Sequence, residues 1–398
     1  ALLARQIGGM KMNKFLLAVI PGLVFNVAQA GGMVYVKPDG IWTENNGKIV
    51  KLAGTQGAQA VALSPQDGTL VYFVGAPLDY ISQAETLRKG FISRPPYTSR
   101  TALPAPLNAL DFYFQSFSWA RDGSYVQAGE VRYDPELKKV WKTAEFRPRA
   151  TSNSGAVSAW LAQYPALRVV GKTKAARTIF DPSKLSAALA VTQKTLQIDA
   201  SAYNDPKNWW TGDPAVSPDG QAVYFSSNGG NGGGAAGNTD YVLLKLDTAT
   251  DRIVALSRLR PKEGEVGSRL PTLQVSPDGK KLLEWTSVHV SAAENPSVLS
   301  VHDLPSAKSV FLDWEPVNSQ PTNPPDSALT NWITAACWLD ASTVALTAAM
   351  VRVPSFASES ETNIDKPEYI SAFSLYLFDA KTGKIKRTIP GVSHVSCG

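Results

Sequence analysis

The chain is poor in the residues that do most protein chemistry. In 398 residues it holds two cysteines, three histidines and four methionines. Two cysteines cannot build a framework of several disulfides. The histidines, His289, His302 and His394, stand far apart, and none has a second histidine at metal-ligand spacing. No Gly-x-Ser-x-Gly elbow is present. Gly171-Lys172-Thr173 ends like a phosphate-binding loop, but Ala166 stands where that loop needs glycine, so the segment reads as a basic turn. No excess of one charge sign is present either. Removing residues 1–30 takes Arg5, Lys11 and Lys14 and no acids from 39 basic and 34 acidic residues, leaving 36 against 34. A balance of +2 gives no reason to expect nucleic acid or an anionic membrane surface as partner.

Long apolar runs are also missing beyond the first thirty residues. There, Lys11 and Lys14 precede an apolar stretch from Phe15 to Val27, interrupted by Pro21-Gly22, and Ala28-Gln29-Ala30 offers small residues for cleavage. The stretch is shorter than the roughly 20 residues a membrane span needs. Residues 1–30 are therefore expected to be a leader, with 1–9 as upstream sequence ahead of Met10 and Met12. Residues 31–398 are expected to be one exported, periplasmic or secreted domain without an integral membrane segment.

What is present is a phrase that returns. Val216-Ser217-Pro218-Asp219-Gly220 matches Val275-Ser276-Pro277-Asp278-Gly279, with looser copies at Leu63-Ser64-Pro65-Gln66-Asp67-Gly68, Trp119-Ala120-Arg121-Asp122-Gly123 and Trp338-Leu339-Asp340. Proline presets one turn dihedral, serine and aspartate bond local amides, and glycine closes the turn at positive φ. Each copy precedes an apolar strand such as Leu70–Val74, Ala222–Phe225 or Lys281–Trp285. The glycines lie 55, 97 and 59 residues apart, and Asp340 follows Gly279 by 61. The 97-residue gap is close to two periods and holds a weak unit at Ala166–Gly171. A second element, an apolar strand ending in an acid and a turn, recurs at Tyr241–Asp247, Leu299–Asp303 and Leu375–Asp379. A period of about 50–60 residues made of short strands predicts a β-propeller of four-stranded antiparallel blades. The spacing fits six blades best, with seven as the alternative. Val34–Gly40 resembles the outer element, as a ring closed by its two chain ends would require.

Cys337 and Cys397 lie 60 residues apart, close to one period. Either they pair and fasten the C-terminal tail to the last blade, or they remain two thiols. The remaining candidates are binding residues. Arg88, Lys89, Arg94 and Arg100 lie in the segment Ile81–Leu110, read as one long loop around Pro95-Pro96. Pro316–Asp326 is rich in proline and asparagine, and Ser355–Glu368 is serine-rich and acidic. Such insertions collect on one face of a repeat ring, where partners dock. Trp209-Trp210 offers an aromatic platform, although aromatics at blade edges more often pack between sheets. His394 sits in the closing tail near the expected channel. The run Asn228–Asp240 has too few carboxylates for calcium and reads as a flexible hairpin.

At the Ser-Pro-Asp-Gly turns and at Asp379-Ala380-Lys381-Thr382-Gly383, the chain resembles the TolB-like propeller repeat family. The resemblance covers most of 31–398, weakest near 130–210. TolB itself carries an α/β domain before its propeller, for which this chain has no room. The resemblance implies a periplasmic, non-enzymatic scaffold that binds a protein partner, with no catalytic residues, metal or cofactor. The alternative is a propeller enzyme or enzyme subunit, similar to the heavy chains of quinoprotein amine dehydrogenases or to lactonases. That would need groups such as Asp213, Asp340 and His394 to converge at the channel mouth.

Overall fold

A computed structural model describes residues 32–75, 89–104, 117–143, 149–197, 210–228, 241–259, 271–285, 299–312, 327–354 and 368–398, except 46, 129–130, 163–165, 182, 185, 307 and 370–371. The repeats form seven antiparallel sheets arranged as the blades of a propeller. The seven-bladed alternative is thus the one adopted. The count of six fell short because it was a count of hairpins. Six blades carry their own turn between first and second strand, and the one hidden in the 97-residue gap is Ser152-Asn153-Ser154-Gly155. The seventh blade has no such turn, because its innermost strand is the end of the chain and its other strands are the beginning.

That closing blade, blade 1, runs from inside to outside as His394–Cys397, Met33–Lys37, Gly40–Asn45 and Lys48–Lys51. The tail pairs with the first strand from Met33↔Cys397 to Val36↔His394. Blades 2 to 7 follow in chain order, with inner strands Ala58–Leu63, Ser118–Trp119, Ala150–Thr151, Ala215–Val216, Thr272–Val275 and Ser327–Asp340. The segment read as one loop at 81–110 contains the third and outer strands of blade 2, Lys89–Ser93 and Thr101–Ala102. Their apolar content is too small to announce them. Among the described residues one helix interrupts the β pattern: α1 (Ala187–Leu196), between blades 4 and 5, is capped by the Ser186 hydroxyl, which accepts from the Leu189 N–H.

Burial explains the strand patterns. Second and third strands have a neighbouring blade on each face, so they read as continuous apolar runs; Ala222–Asn228 is buried at all seven positions. The outer strand Lys48–Lys51 has only solvent beyond it and is exposed throughout. The core accordingly lies between blades. Val34, Val36 and Ile41 of blade 1 pack on Val61, Leu63 and Tyr72 of blade 2. Leu375 and Leu377 of blade 7 pack on Met33, Tyr35 and Val395 of blade 1. Cys337 and Cys397 are disulfide-bonded across that same seam, with Cα atoms 5.8 Å apart.

Candidate functional site

The repeated turn builds one face of the ring. In Ser217–Gly220, the serine hydroxyl donates to Asp219 Oδ1 at 2.7 Å and accepts from the Ala222 N–H at 2.9 Å. Asp219 Oδ1 also accepts from the Gln221 N–H at 2.9 Å. Ser276, Asp278 and Lys281 repeat the pattern at 2.6 and 2.9 Å. Burial works to raise the Asp219 and Asp278 carboxyls, but these hydrogen bonds outweigh it and hold both below the usual aspartate value.

Each turn also touches the next. Gly123 faces the Gln66 side chain, Gly155 faces Asp122, Gly220 faces Ser152 and Val157, and Gly279 faces Pro218. A Cβ on Gly220, whose φ is +76°, would come within 2.9 Å of Val157 Cγ2. The glycine thus serves the turn and the contact between blades at once. From this rim Arg121 reaches past blade 4, donating to the carbonyls of Val216 at 3.3 Å and Val275 at 3.5 Å. Desolvation lowers its pKa. Side chains close other inner-strand edges as well. Ser396 Oγ accepts from the Leu63 N–H at 3.0 Å, Trp119 Nε1 donates to Ala62 O at 3.1 Å, and Trp338 Nε1 donates to Gln274 O at 3.0 Å. An inner strand has an unpaired edge, and these groups satisfy it.

The other face is built differently. In an antiparallel meander, second-to-third-strand connections and outer-to-next-inner connections leave from the same side. Residues 76–88, 229–240, 286–298 and 355–367 are of the first kind; 105–116, 198–209, 260–270 and 313–326 are of the second. The strands flanking all eight segments therefore end on one face, the loop face. The turn face carries only short connections among the described residues.

The sequence-derived candidates distribute unevenly over this frame. Arg88 and Trp209 lie outside the described residues. Lys89 is exposed and begins its strand at the loop face. Arg94 stands at the opposite end of that strand, where its guanidinium donates to Pro135 O of blade 3. Arg100 donates to Gly54 O at 2.6 Å and lies 4.2 Å from the centre of the Phe91 ring. The strand parts Lys89 from both arginines. Trp210 opens the strand Trp210–Thr211 of blade 5. His394 lies in the closing strand, half-buried; desolvation pulls its pKa down to about 4, against a hydrogen bond to the Val61 backbone that raises it. Asp340 is exposed and accepts from the Ser342 N–H and hydroxyl, at 2.6 and 2.7 Å. Among the described residues no three His, Cys, Asp or Glu side chains are grouped to hold a metal. A cavity of about 260 Å³ opens between Leu52–Thr55 and Ser93–Arg100. Several of its polar groups already bond to backbone: Tyr97 donates to Gly68 O at 2.7 Å and Ser93 to Ser99 O at 2.6 Å.

One cluster escaped the sequence reading. Glu284, in the second strand of blade 6, has no exposed surface. It accepts from the Tyr241 hydroxyl of blade 5, from His302 Nε2, and from Ser300 Oγ at 3.1 Å. Burial, and then the Glu284 charge, raise the Tyr241 pKa, so its hydroxyl keeps its proton. His302 Nδ1 lies 2.7 Å from Ser309 Oγ. In sequence these residues are scattered among apolar strand positions, and only the register Glu284↔Ser300 and His302↔Ser309 unites them.

No family model and no curated protein matches the chain. Among solved structures, it is similar to the tricorn protease, at 11% identity over 84% of this chain and 33% of that one, with a TM-score of 0.42. It is similar to the GH74 xyloglucanase of Xanthomonas campestris, at 12% identity over 88% and 56%, with a TM-score of 0.46. It is also similar to a protein described as TolB from Agrobacterium tumefaciens, at 13% identity over 74% and 86%, with a TM-score of 0.36. The chain spans about a third of the first of these and just over half of the second.

Proposed function

We propose that this propeller is an exported scaffold that docks a protein partner on its loop face. The observation that carries the reading is the asymmetry of the ring. The strands flanking eight connections of eleven or more residues end on one face, while the other is laced turn to turn. Variable segments on a rigid frame are where repeat rings bind. Export is supported by the leader-like residues 1–30 and by the disulfide, a bond that persists in oxidising compartments. The basic Arg88-Lys89 pair and the acidic Ser355–Glu368 segment give the docking face charges of both signs.

The test is a native pull-down with residues 31–398 from envelope extract, followed by mass spectrometry and metal analysis. One stoichiometric protein partner supports docking. A tightly held metal or cofactor with no partner would refute the scaffold and direct attention to the channel. With a partner in hand, Arg88→Glu and Lys89→Glu together should weaken binding to an acidic protein, and unchanged binding would take these residues out of the interface.

A further inference from the structure

The cluster between blades 5 and 6 has a complete donor and acceptor account. With Glu284 as a carboxylate, it can only accept. Tyr241, Ser300 and His302 Nε2 must then donate to it. Nε2 therefore carries a proton, and Nδ1 faces the Ser309 hydroxyl at 2.7 Å. The arrangement is graded from inside to outside: Glu284 is 0% exposed, His302 5%, and Ser309 lies at the surface on the outer strand Lys308–Phe311.

A serine beside an imidazole that is itself oriented by a buried carboxylate is the arrangement that activates a hydroxyl for acyl transfer. Two further features suit that chemistry. Leu312 N–H bonds to Leu299 O, so in the alternating ladder Val310 also pairs inward while the N–H groups of Ser309 and Phe311 point out from the blade edge. Of the two, the Ser309 N–H lies beside the nucleophile and can donate to a developing oxyanion. Phe311, two residues along on the same face as Ser309, is 66% exposed. It offers an apolar ledge beside the hydroxyl.

We propose that Ser309, His302 and Glu284 form a triad that hydrolyses small carboxylic esters with an apolar or aromatic acyl group. Ser309 Oγ attacks the carbonyl carbon and its proton passes to His302 Nδ1. The C–O bond of the ester breaks, and the leaving alcohol takes that proton. Water then attacks the acyl-serine by the same path, releasing the acid and restoring Ser309. Glu284 touches no reacting atom; it is a positioning residue that fixes the tautomer and stabilises the imidazolium.

The test uses the full chain with an alkyl fluorophosphonate and with p-nitrophenyl butyrate. One adduct should form, mapping to Ser309 by peptide mass, and both adduct and hydrolysis should vanish in Ser309→Ala, whose surface position leaves the fold intact by circular dichroism. Labelling should fall by about 10²-fold or more in His302→Gln, and Glu284→Gln should shift the pH profile of labelling. Phe311→Ala should raise KM for the butyrate ester with kcat unchanged. An unlabelled wild-type protein, an adduct elsewhere, or undiminished hydrolysis by Ser309→Ala would overturn the proposal. Neither a labelled nor an unlabelled Ser309 bears on docking at the loop face, since the two rest on different residues.

Discussion

Breaking the Cys337–Cys397 bond tests how the ring is closed. The bond joins the inner strands of blades 7 and 1 and closes a loop of 60 residues. For a loop of that length, chain entropy gives a stabilisation of about 4 kcal/mol at 25 °C, acting on the unfolded chain. In the folded chain the closing strand does not depend on it. Four register pairs hold that strand to Met33–Val36, the Leu63 N–H bonds to Ser396 Oγ, and Val395 is buried in the seam. Cys337→Ala and Cys397→Ala should therefore each lower the unfolding free energy in urea by about 4 kcal/mol, with far- and near-ultraviolet circular dichroism unchanged in buffer. Each change removes the whole bond, so the double variant should lose scarcely more than either single one. A loss below about 1 kcal/mol, or additive losses in the double variant, would refute the argument. So would a loss of native ellipticity without denaturant, because the strand pairing would then not hold the ring by itself.

Three further predictions concern the rim and the channel. Gly391 and Gly220 have similar positive φ values, +73° and +76°, but a Cβ meets nothing within 4 Å at the first and Val157 at the second. Gly391→Ala should cost about 1–2 kcal/mol of backbone strain and Gly220→Ala about 1–3 kcal/mol more for overpacking; equal losses in urea melts would mean that the turns are not packed against one another. Acid should destabilise the protein in two stages. His394 is lowered from 6.5 to about 4, so the folded state binds fewer protons in that window, and stability present above 6.5 is lost as pH falls towards 4. The turn aspartates act next. Asp379 is lowered from 3.8 to about 2 by the Thr382 backbone and Lys386, and Asp219 and Asp278 are also lowered, so their stabilisation is present above 3.8 and lost below it. His394→Asn should abolish the first stage of the urea midpoint's pH dependence and leave the second; an unchanged profile would place the titration elsewhere. Arg121→Ala should cost about 1–3 kcal/mol by leaving the Val216 and Val275 carbonyls without their donor, and a neutral result in thermal melts would show that water replaces it.

The sequence alone determined the repeating unit, because the unit is local. A serine, a proline, an aspartate and a positive-φ glycine within four residues specify a hairpin whatever surrounds them, and the apolar runs of Leu70–Val74 and Tyr241–Asp247 declare strands covered on both faces. It left open whether Cys337 and Cys397 pair; the structure puts Cys397 at the end of the closing inner strand His394–Cys397, bridged to Cys337. The tertiary structure alone decided what depends on contacts between distant segments. The number of blades is one such property, since the closing blade joins residues 33–51 to 394–397 and has no turn between its first and second strands to count. The position of Arg94 is another: a five-residue strand with two strong apolar residues carries it away from Lys89. The meeting of Tyr241, Glu284, His302 and Ser309 is a third. Strand register brought those four together, and register is set by the turns and by which face is buried, so no spacing along the chain records it.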